Sequence, residues 1–201
     1  MLLYVAGASC AGKTTALSLL RKARGDIEIH DFDEIGVPEG ADRHWRMEAN
    51  ERWMQRLLAR RRPVMLAGQS PFGEILSAPS AIEFDGIAGC LVDCDDWVRV
   101  QRLRRRGTPP ATQAQLNWAA WHRVHARDPQ WDRSPLLTQD DAFDWQRWAR
   151  WNTGDLRWQF EIVDTSSKSP DDICTWLSAW TDRQLQLLAG GLLPLSGRWW
   201  D

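Results

Sequence analysis

Near its amino-terminal end the chain reads Gly7-Ala8-Ser9-Cys10-Ala11-Gly12-Lys13-Thr14. The residues before this stretch, 2–6, form an apolar run that predicts a buried strand. The residues from 13 to 23 place leucines at helical spacing and predict a helix with one apolar face. Two glycines, a lysine and a threonine therefore occupy a turn between a strand and a helix, which is the context that a phosphate-binding loop requires.

This stretch, which we call the glycine loop (residues 7–14), has the chemistry of a phosphate cradle. Its glycines let the backbone wrap tightly, so that successive N–H groups and the positive end of the following helix point at bound phosphates. Lys13 would neutralise the β- and γ-phosphates, the hydroxyl of Thr14 would ligate Mg²⁺, and Thr15 is the next candidate contact. A glycine turn before an ordinary helix is the alternative, and the strand, loop and helix context argues against it. We therefore predict that the chain binds ATP or a similar nucleotide together with Mg²⁺.

The rest of the chain alternates between short apolar runs and helical patterns. Predicted strands lie at 2–6, 27–30, 64–67, 87–92 and 160–163, and predicted helices at 13–23, 41–61, 95–106 and 169–183. Strands that alternate with helices favour a parallel sheet covered on both faces. We therefore predict an α/β fold with a five-stranded parallel sheet, formed as one domain over residues 1–183 with a helical lid inserted at about 102–151.

The segment 184–201 forms an apolar tail after the last predicted helix. It contains two glycines and the pair Trp199-Trp200. We expect the tail to pack on the body of the protein or on a second copy of the chain. The second arrangement would make a homodimer.

Composition and charge exclude several classes of protein. The formal net charge of -2 gives no general attraction to nucleic acid or to an anionic membrane. No apolar run approaches the ~18 residues that a membrane span needs, and residues 1–5 lack the basic start and cleavage site of a signal peptide. The four cysteines lie far apart and have no metal-ligand spacing, which fits reduced thiols. We expect a cytoplasmic protein without a membrane partner.

Tryptophan and arginine are unusually frequent, with 14 tryptophans and only three lysines. Arginine binds phosphate bidentately and stacks on aromatic rings, so both excesses could serve substrate binding. A coding bias combined with tryptophan as core filler is an equally good interpretation. The tryptophans of the predicted lid include Trp118, Trp121, Trp145 and Trp148, some of them at helical spacing. The default interpretation is that these tryptophans pack in the core. The more specific alternative is that they bind a hydrophobic or planar acceptor.

Two carboxylates follow the second predicted strand, in Asp31-Phe32-Asp33. Alternate residues of an extended chain point the same way, so both side chains could leave the sheet edge beside the glycine loop. A carboxylate within reach of an attacking hydroxyl can accept its proton during phosphoryl transfer. The alternative is a role for these carboxylates in capping a helix or closing a turn at 36–38.

These features together resemble one branch of the P-loop kinases, the nucleoside-monophosphate-kinase-like enzymes. The branch includes adenylate, shikimate and gluconate kinases and antibiotic phosphotransferases. The resemblance covers most of the chain and rests on GASCAGKT, on Asp31-Phe32-Asp33, on LVDCDDWVRVQRLRRRG at 91–107 and on VDTSSKSPDD at 163–172. It implies that Asp33 is the catalytic base and that Asp31 holds a metal-bound water, with the order of the two left open.

The resemblance also implies roles for several residues in the second half of the chain. Arg102 and Arg106 match the R-x-x-x-R pair of related kinases and share one helix face, so both could stabilise the charge on the transferred phosphate. Thr165 lies where related kinases pass a loop over the nucleotide base. Arg123 and Arg127 are candidates to close over the substrate from the lid, and surface solvation is an equally good interpretation for them.

The sequence departs from the pattern of its relatives at two places. Related nucleotide kinases often carry an acidic residue after the third strand, where this chain has Gly68 and Gln69. Gly68 could let substrate approach the backbone, and Gln69 is a hydrogen-bonding candidate. Cys10 replaces a usual glycine without removing an N–H group. The acceptor pocket of this architecture lies between the second strand and the following helix, so Arg43, with His44, Trp45 and Arg46, is nearest to it.

The resemblance and the residues together predict an ATP-dependent phosphotransferase. Its γ-phosphate would pass to a hydroxyl or phosphate of a small-molecule acceptor. One alternative is a polynucleotide 5′-hydroxyl kinase, which the arginine and tryptophan excess keeps open although the acidic charge disfavours nucleic acid. Another is a regulatory ATPase. The guanine-selecting N-K-x-D of GTPase switches is absent, because the segment 152–155 reads Asn-Thr-Gly-Asp without the lysine.

Overall fold

The fold is built on a five-stranded sheet in which every strand pair is parallel. The computed structural model describes residues 1–136 and 142–201. The strands are β1 (Leu2–Ala6), β2 (Glu28–Asp31), β3 (Val64–Gly68), β4 (Ile87–Asp93) and β5 (Glu161–Asp164). Their order in the sheet is β2-β3-β1-β4-β5, so the glycine loop leaves the central strand. The predicted five-stranded parallel sheet is confirmed.

Helices connect the strands and cover both faces of the sheet. They are α1 (Lys13–Ala23), α2 (Arg43–Leu58), α3 (Phe72–Ser77), α4 (Asp96–Arg106), α5 (Gln113–His125) and α6 (Pro170–Ala189). Short 3-10 helices lie at Phe32–Ile35, Pro79–Glu83, Trp145–Arg147 and Leu156–Trp158. None of the described helices is both long and apolar enough to span a membrane.

The two ends of α2 and the end of α6 differ from the sequence-based boundaries. We expected α2 over 41–61, but Asp42 caps its start by accepting a hydrogen bond from Trp45 N at 2.9 Å. Helix α6 continues to Ala189, past the expected end at 183, and Gly190 caps it. The first part of the segment 184–201 is therefore helical.

Alternate residues of β1 pack into two separate cores, one on each face of the sheet. Leu2 and Tyr4 belong to the core that contains α2, α3 and most of the tryptophans. Leu3 and Val5 belong to the core that contains α1 and α6. The continuous apolar run of β1 thus reflects burial on both faces, as expected of a central parallel strand.

The chain between α5 and β5 packs on the first of these cores through its tryptophans. Trp148 is fully buried, and its indole N–H donates to the carbonyl of Gly73 at 2.9 Å and to the hydroxyl of Ser77 at 2.8 Å. At Gly73 a Cβ would lie 2.5 Å from Trp148 Cζ2, so the glycine makes room for the ring. Trp158 donates to the carbonyl of His125 at 2.9 Å. Several tryptophans of the region predicted as a lid therefore lie in the core; residues 137–141 of that region lie outside the described residues.

The chain after α6 returns along the edge of the sheet where β1 and β4 begin. Ile87 N donates to the carbonyl of Leu195 at 2.8 Å, and Gly86 and Ser196 form an antiparallel bridge. Leu193, Leu195 and Trp199 are buried. This tail contacts the body of its own chain, and a homodimer through it stays a prediction.

Candidate active site

A cleft with a volume of about 880 Å³ opens at the carboxyl ends of the strands. In open α/β sheets this edge is where ligands bind. Residues 9–14 of the glycine loop form part of its wall. The other lining residues are Thr15, Asp31, Asp33, Val37, Pro38, Gly40, Ala41, Gly68, Gln69, Arg102, Arg106, Pro109, Gln115, Lys168, Pro170 and Ile173.

The shape of the glycine loop depends on left-handed backbone and on the lack of a side chain at one glycine. Gly12 has φ of 104° immediately before α1 begins, and Cys10 has φ of 60°. At Gly7 a Cβ would lie 2.4 Å from the carbonyl oxygen of Val92 on β4. The loop therefore lies against β4, and α1 begins with its positive end at the cleft.

Lys13 extends back over the glycine loop from the first turn of α1. Its ammonium donates to the carbonyl of Gly7 and, at 3.3 Å, to that of Ala8. The pKa of Lys13 is lowered to about 8, chiefly by burial; the charges of Asp31 and Asp33 raise it, and that of Arg99 lowers it. The ammonium is held beside the backbone N–H groups that would bind phosphate.

The predicted carboxylates reach the glycine loop. Asp31 Oδ2 accepts a hydrogen bond from the hydroxyl of Thr14 at 3.1 Å, and Asp31 Oδ1 accepts one from the backbone N–H of Asp33 at 3.2 Å. Phe32 is buried between the two aspartates and anchors the turn in the core. Partial burial and the neighbouring charge of Asp31 raise the pKa of Asp33, while Lys13 and Arg106 offset part of the rise. The structure brings both carboxylates into the cleft.

Arg102 joins the glycine loop to the loop that follows β5. Its guanidinium donates to the carbonyl of Cys10 at 3.3 Å, to the hydroxyl of Thr165 at 3.0 Å and to the carbonyl of Thr165 at 2.7 Å. Thr165 in turn donates to the carbonyl of Ala11 at 2.7 Å and is fully buried. Arg106 lies one turn further along α4, lines the cleft and is exposed. Arg102 and Arg106 line the cleft on the β5 side, whereas Thr165 is buried behind them and lies outside the cleft lining, so its contact with the nucleotide base stays a prediction.

Comparison of the sequence with known proteins found no match. The chain matches no protein-family model, and no curated protein is significantly similar to it.

Comparison of folds, by contrast, finds many similar structures. A sugar kinase from Janibacter sp. aligns with a TM-score of 0.57 at 13% identity, over 90% of this chain and 94% of that chain. A gluconokinase from Sinorhizobium meliloti aligns with a TM-score of 0.57 at 15% identity, over 94% and 95%. The shikimate kinase from Aquifex aeolicus aligns with a TM-score of 0.53 at 13% identity, over 92% and 99%. The chain has the fold of the P-loop kinases. At such identities the likeness concerns the fold alone.

Within this P-loop kinase fold, three arginines that we singled out from the sequence lie outside the cleft lining. Arg43 is exposed on the first turn of α2. Arg123 on α5 pairs with Asp93 at 2.5 Å and with Asp96 at 3.0 Å. Arg127 is exposed and donates to the carbonyl of Arg123 at 3.0 Å. Their assignment to substrate binding stays a prediction.

The turn after β3 lies at the wall of the cleft. Gln69 lines the cleft, and its Oε1 accepts a hydrogen bond from the hydroxyl of Ser9 at 3.4 Å. At Gly68 a Cβ would lie 2.9 Å from Phe32 Cβ, so this glycine accommodates the neighbouring turn. Gly68 thus has a packing role in the structure besides the substrate approach that we expected from the sequence.

Arg99 is a residue of the site that sequence reasoning missed. It is fully buried, and its guanidinium donates to the carbonyl of Ser9 at 2.5 Å and to Asp93 Oδ1 at 2.6 Å. The ion pair joins α4 to the end of β4, and the hydrogen bond to Ser9 joins it to the glycine loop. Its position three residues before Arg102, on the same helix face, was the available signal.

A buried polar network behind Gln69 was also missed. Glu74 is fully buried and accepts hydrogen bonds from Arg46 Nε at 2.9 Å, Arg46 Nη2 at 2.6 Å and Asn50 Nδ2 at 2.5 Å. Asn50 also accepts a hydrogen bond from the hydroxyl of Ser70 at 2.9 Å, and Tyr4 donates to the carbonyl of Ser70 at 2.7 Å. The network holds the turn that carries Gln69. A single carboxylate within the apolar run 71–79 was the signal for it.

Proposed function

We propose that the chain is a kinase that transfers the γ-phosphate of ATP to a hydroxyl group of a small molecule. The observation that carries this proposal is the contact between Thr14 and Asp31, at 3.1 Å, in the cleft that Lys13 and Asp33 also reach. A phosphate cradle alone would support nucleotide binding. The carboxylate of Asp33, in the same cleft, supplies the proton acceptor that phosphoryl transfer requires.

Nucleotide binding would use the groups that meet at the glycine loop. The N–H groups of residues 9–14 and the start of α1 would bind the phosphates. Lys13 would exchange its contacts with the carbonyls of Gly7 and Ala8 for the β- and γ-phosphate oxygens. Arg102 and Arg106, one turn apart, would stabilise the charge that develops on the transferred group.

Asp33 would act on the acceptor. The acceptor oxygen attacks the γ-phosphorus, the bond from that phosphorus to the β–γ bridging oxygen breaks, and the hydroxyl proton passes to the Asp33 carboxylate. Its raised pKa suits this role, since a carboxylate of higher pKa is a stronger proton acceptor. ADP leaves with the bridging oxygen.

The residues beside the phosphate cradle fit Mg²⁺. Thr14 and Asp31 offer a hydroxyl and a carboxylate 3.1 Å apart, and Mg²⁺ prefers oxygen ligands, typically one or two from the protein and the rest from phosphates and water. The ion would neutralise phosphate charge and orient the γ-phosphate.

The test is phosphate transfer from ATP to a panel of acceptors. The panel contains nucleosides, nucleotides, sugars, aminoglycosides, aromatic alcohols and 5′-hydroxyl oligonucleotides, and ADP formation is measured against a reaction without acceptor. We expect Lys13→Ala to lose turnover and to weaken ATP binding. We expect Asp33→Asn to keep ATP binding and to lose transfer.

A matched control is Glu34→Gln, which changes the neighbouring carboxylate. Glu34 pairs with Arg21 and does not line the cleft, so this variant should keep its activity. Normal transfer by Asp33→Asn would contradict the role of the base. Transfer to oligonucleotides alone would indicate a polynucleotide kinase, and ATP binding without transfer to any acceptor would contradict the proposal.

A further inference from the structure

We infer that the acceptor is an uncharged hydroxyl compound without a carboxylate or phosphate group. This inference rests on the proposed kinase function and specifies its substrate class. It follows from how the positive charges around the cleft are paired within the protein.

The acceptor half of the cleft is the side toward β2 and β3, where Asp33 lies. Its polar side chains in the described part of the chain are the carboxylates of Asp31 and Asp33 and the amide of Gln69, and the charge of Arg106 on the α4 wall acts on Asp33. Gln115, on the first turn of α5, adds a further amide to the cleft lining. The loop 37–41 contributes apolar contacts and glycine. Amides donate and accept hydrogen bonds without carrying charge, which suits the recognition of hydroxyl groups.

Arg46, one turn after Arg43 on α2, is bound to an internal carboxylate. Arg46 contacts Glu74 through Nε at 2.9 Å and Nη2 at 2.6 Å, and the side chain of Glu74 is fully buried. Burial raises the pKa of Glu74, and the charges of Arg46 and Arg43 offset part of that rise. Withdrawing Arg46 to bind an anionic acceptor would leave a buried carboxylate without its partner, which is strongly unfavourable.

Two further basic groups above the sheet edge are unsuited to bind an anion. Arg123 pairs with both Asp93 and Asp96. His122, buried under Trp118 on the face of α5 that continues from Gln115, has its pKa lowered well below the usual range by burial, so it is uncharged at neutral pH.

The remaining cations match the charge of the nucleotide. The side chains that line the cleft in the described ranges comprise four cations, Lys13, Arg102, Arg106 and Lys168, and two carboxylates, Asp31 and Asp33. Magnesium-bound ATP carries a net charge of about −2, which this surplus balances. An acidic acceptor would add negative charge next to both carboxylates and the γ-phosphate, whereas an uncharged one would not.

The test compares acceptors that differ in one acidic group. The pairs are D-sorbitol with D-gluconate, adenosine with AMP, and shikimate methyl ester with shikimate, each at saturating ATP and Mg²⁺. For the pairs in which phosphate is transferred, we expect kcat/KM to be at least about tenfold higher for the uncharged member. A kcat/KM for the acidic member that equals or exceeds it would overturn the inference and leave the kinase function standing. Absence of transfer to every acceptor, in these pairs and in the wider panel, would overturn the kinase function and this inference with it.

A charge placed in the cleft tests the electrostatic reason. Gln115→Arg should shift the kcat/KM ratio toward the acidic member by about tenfold. Gln113→Arg makes the same change on the same helix, but Gln113 is exposed and lies outside the cleft lining. The kcat/KM ratio of this variant should therefore equal that of the unmodified protein. Glu74→Gln, which releases the charge of Arg46, should shift the ratio in the same direction as Gln115→Arg if circular dichroism shows a folded protein. An unchanged ratio in Gln115→Arg would contradict the argument from charge.

Discussion

Replacing Arg99 by methionine removes the guanidinium that connects α4 to the glycine loop. The side chain is fully buried, and it holds the carbonyl of Ser9 at 2.5 Å and the carboxylate of Asp93 at 2.6 Å. Methionine keeps much of the volume but neither hydrogen bond. We expect the variant to lose stability and to bind ATP more weakly.

The size of the stability loss follows from what remains around Asp93. Removing one partner of a buried ion pair costs about 3–5 kcal/mol when the other charge is left uncompensated. Asp93 keeps its contact with Arg123 at 2.5 Å, so we expect a smaller loss, roughly 2–3 kcal/mol. For a domain of this length that corresponds to a fall in Tm of roughly 4–12 °C. The loss of the hydrogen bond to Ser9 should loosen the glycine loop and raise the Kd for ATP by about tenfold.

Chemical denaturation followed by circular dichroism gives the free energy of unfolding, and isothermal titration calorimetry gives the Kd for ATP. Arg105→Met is the matched control, because Arg105 lies on the same helix and is exposed. It should change the free energy of unfolding by less than about 0.5 kcal/mol. Arg99→Lys keeps the charge but cannot make both hydrogen bonds at once, so its loss of stability should lie between those of Arg99→Met and Arg105→Met.

A double-mutant cycle with Asp93→Asn tests whether the ion pair is the cause. If it is, the double variant should lose at least about 1 kcal/mol less than the sum of the single losses. Additive losses, or a loss below about 1 kcal/mol in Arg99→Met, would refute the reasoning.

Three further predictions concern packing and titration. Gly73→Ala should destabilise the fold by about 1–3 kcal/mol in thermal denaturation, because the new methyl group would lie 2.5 Å from Trp148 Cζ2. The Kd for ATP should rise as the pH rises through about 8. Burial lowers the pKa of Lys13 to about 8, and the neutral amine loses its attraction for phosphate. Calorimetry across this pH range measures the change in Kd. The free energy of unfolding should fall as the pH falls below about 6.5, the histidine pKa in the unfolded chain. Burial lowers the pKa of His122 and His125 in the folded protein, so protons bind preferentially to the unfolded chain. Denaturation experiments should show a slope of up to about 1.4 kcal/mol per pH unit for each histidine.

Each of these predictions has a control. Gly25→Ala meets no atom within 4 Å, so it should leave the Tm nearly unchanged, and a similar Tm for Gly73→Ala would contradict the packing argument. Lys13→Met should abolish the change of Kd near pH 8, and a change that persists would belong to another group. His125→Gln should flatten the acid dependence of stability, whereas His44→Gln, at an exposed position, should leave it unchanged. Equal slopes in the two histidine variants would contradict the assignment.

Much of the fold could be predicted from the sequence because its signals are local. The apolar run before Gly7 and the leucine pattern after Gly12 predict β1 and α1 with the bounds that the structure has. The later strands were placed to within one residue, because each is short, apolar and bounded by polar residues or turns. The ends of α2 and α6 were less predictable. They depend on the capping hydrogen bond of Asp42 and on packing that continues through the last turns of α6.

The candidate site was predictable where neighbouring residues form it or where a pair on one helix face, such as Arg102 and Arg106, marks it. The glycine loop and the pair Asp31 and Asp33 could be identified, since a continuous motif and a two-residue spacing define them. The sequence does not distinguish Arg99 from the other arginines of α4, because it depends on a partner carboxylate and on the depth at which the helix face is buried. Nor does it distinguish Arg46, whose partner Glu74 follows on another helix.

The sequence alone determined that the glycine loop lies between a buried strand and a helix, because both the loop and its flanking elements are formed by consecutive residues. The tertiary structure decided which charges are available to a ligand. Arg46, Arg99 and Arg123 each pair with a carboxylate, and the pairing is set by distance in space and by burial. Leaving an exposed charge unpaired costs little free energy, but leaving a buried charge unpaired costs much. Buried arginines are therefore held in ion pairs within the fold, and exposed ones at the cleft can bind a ligand.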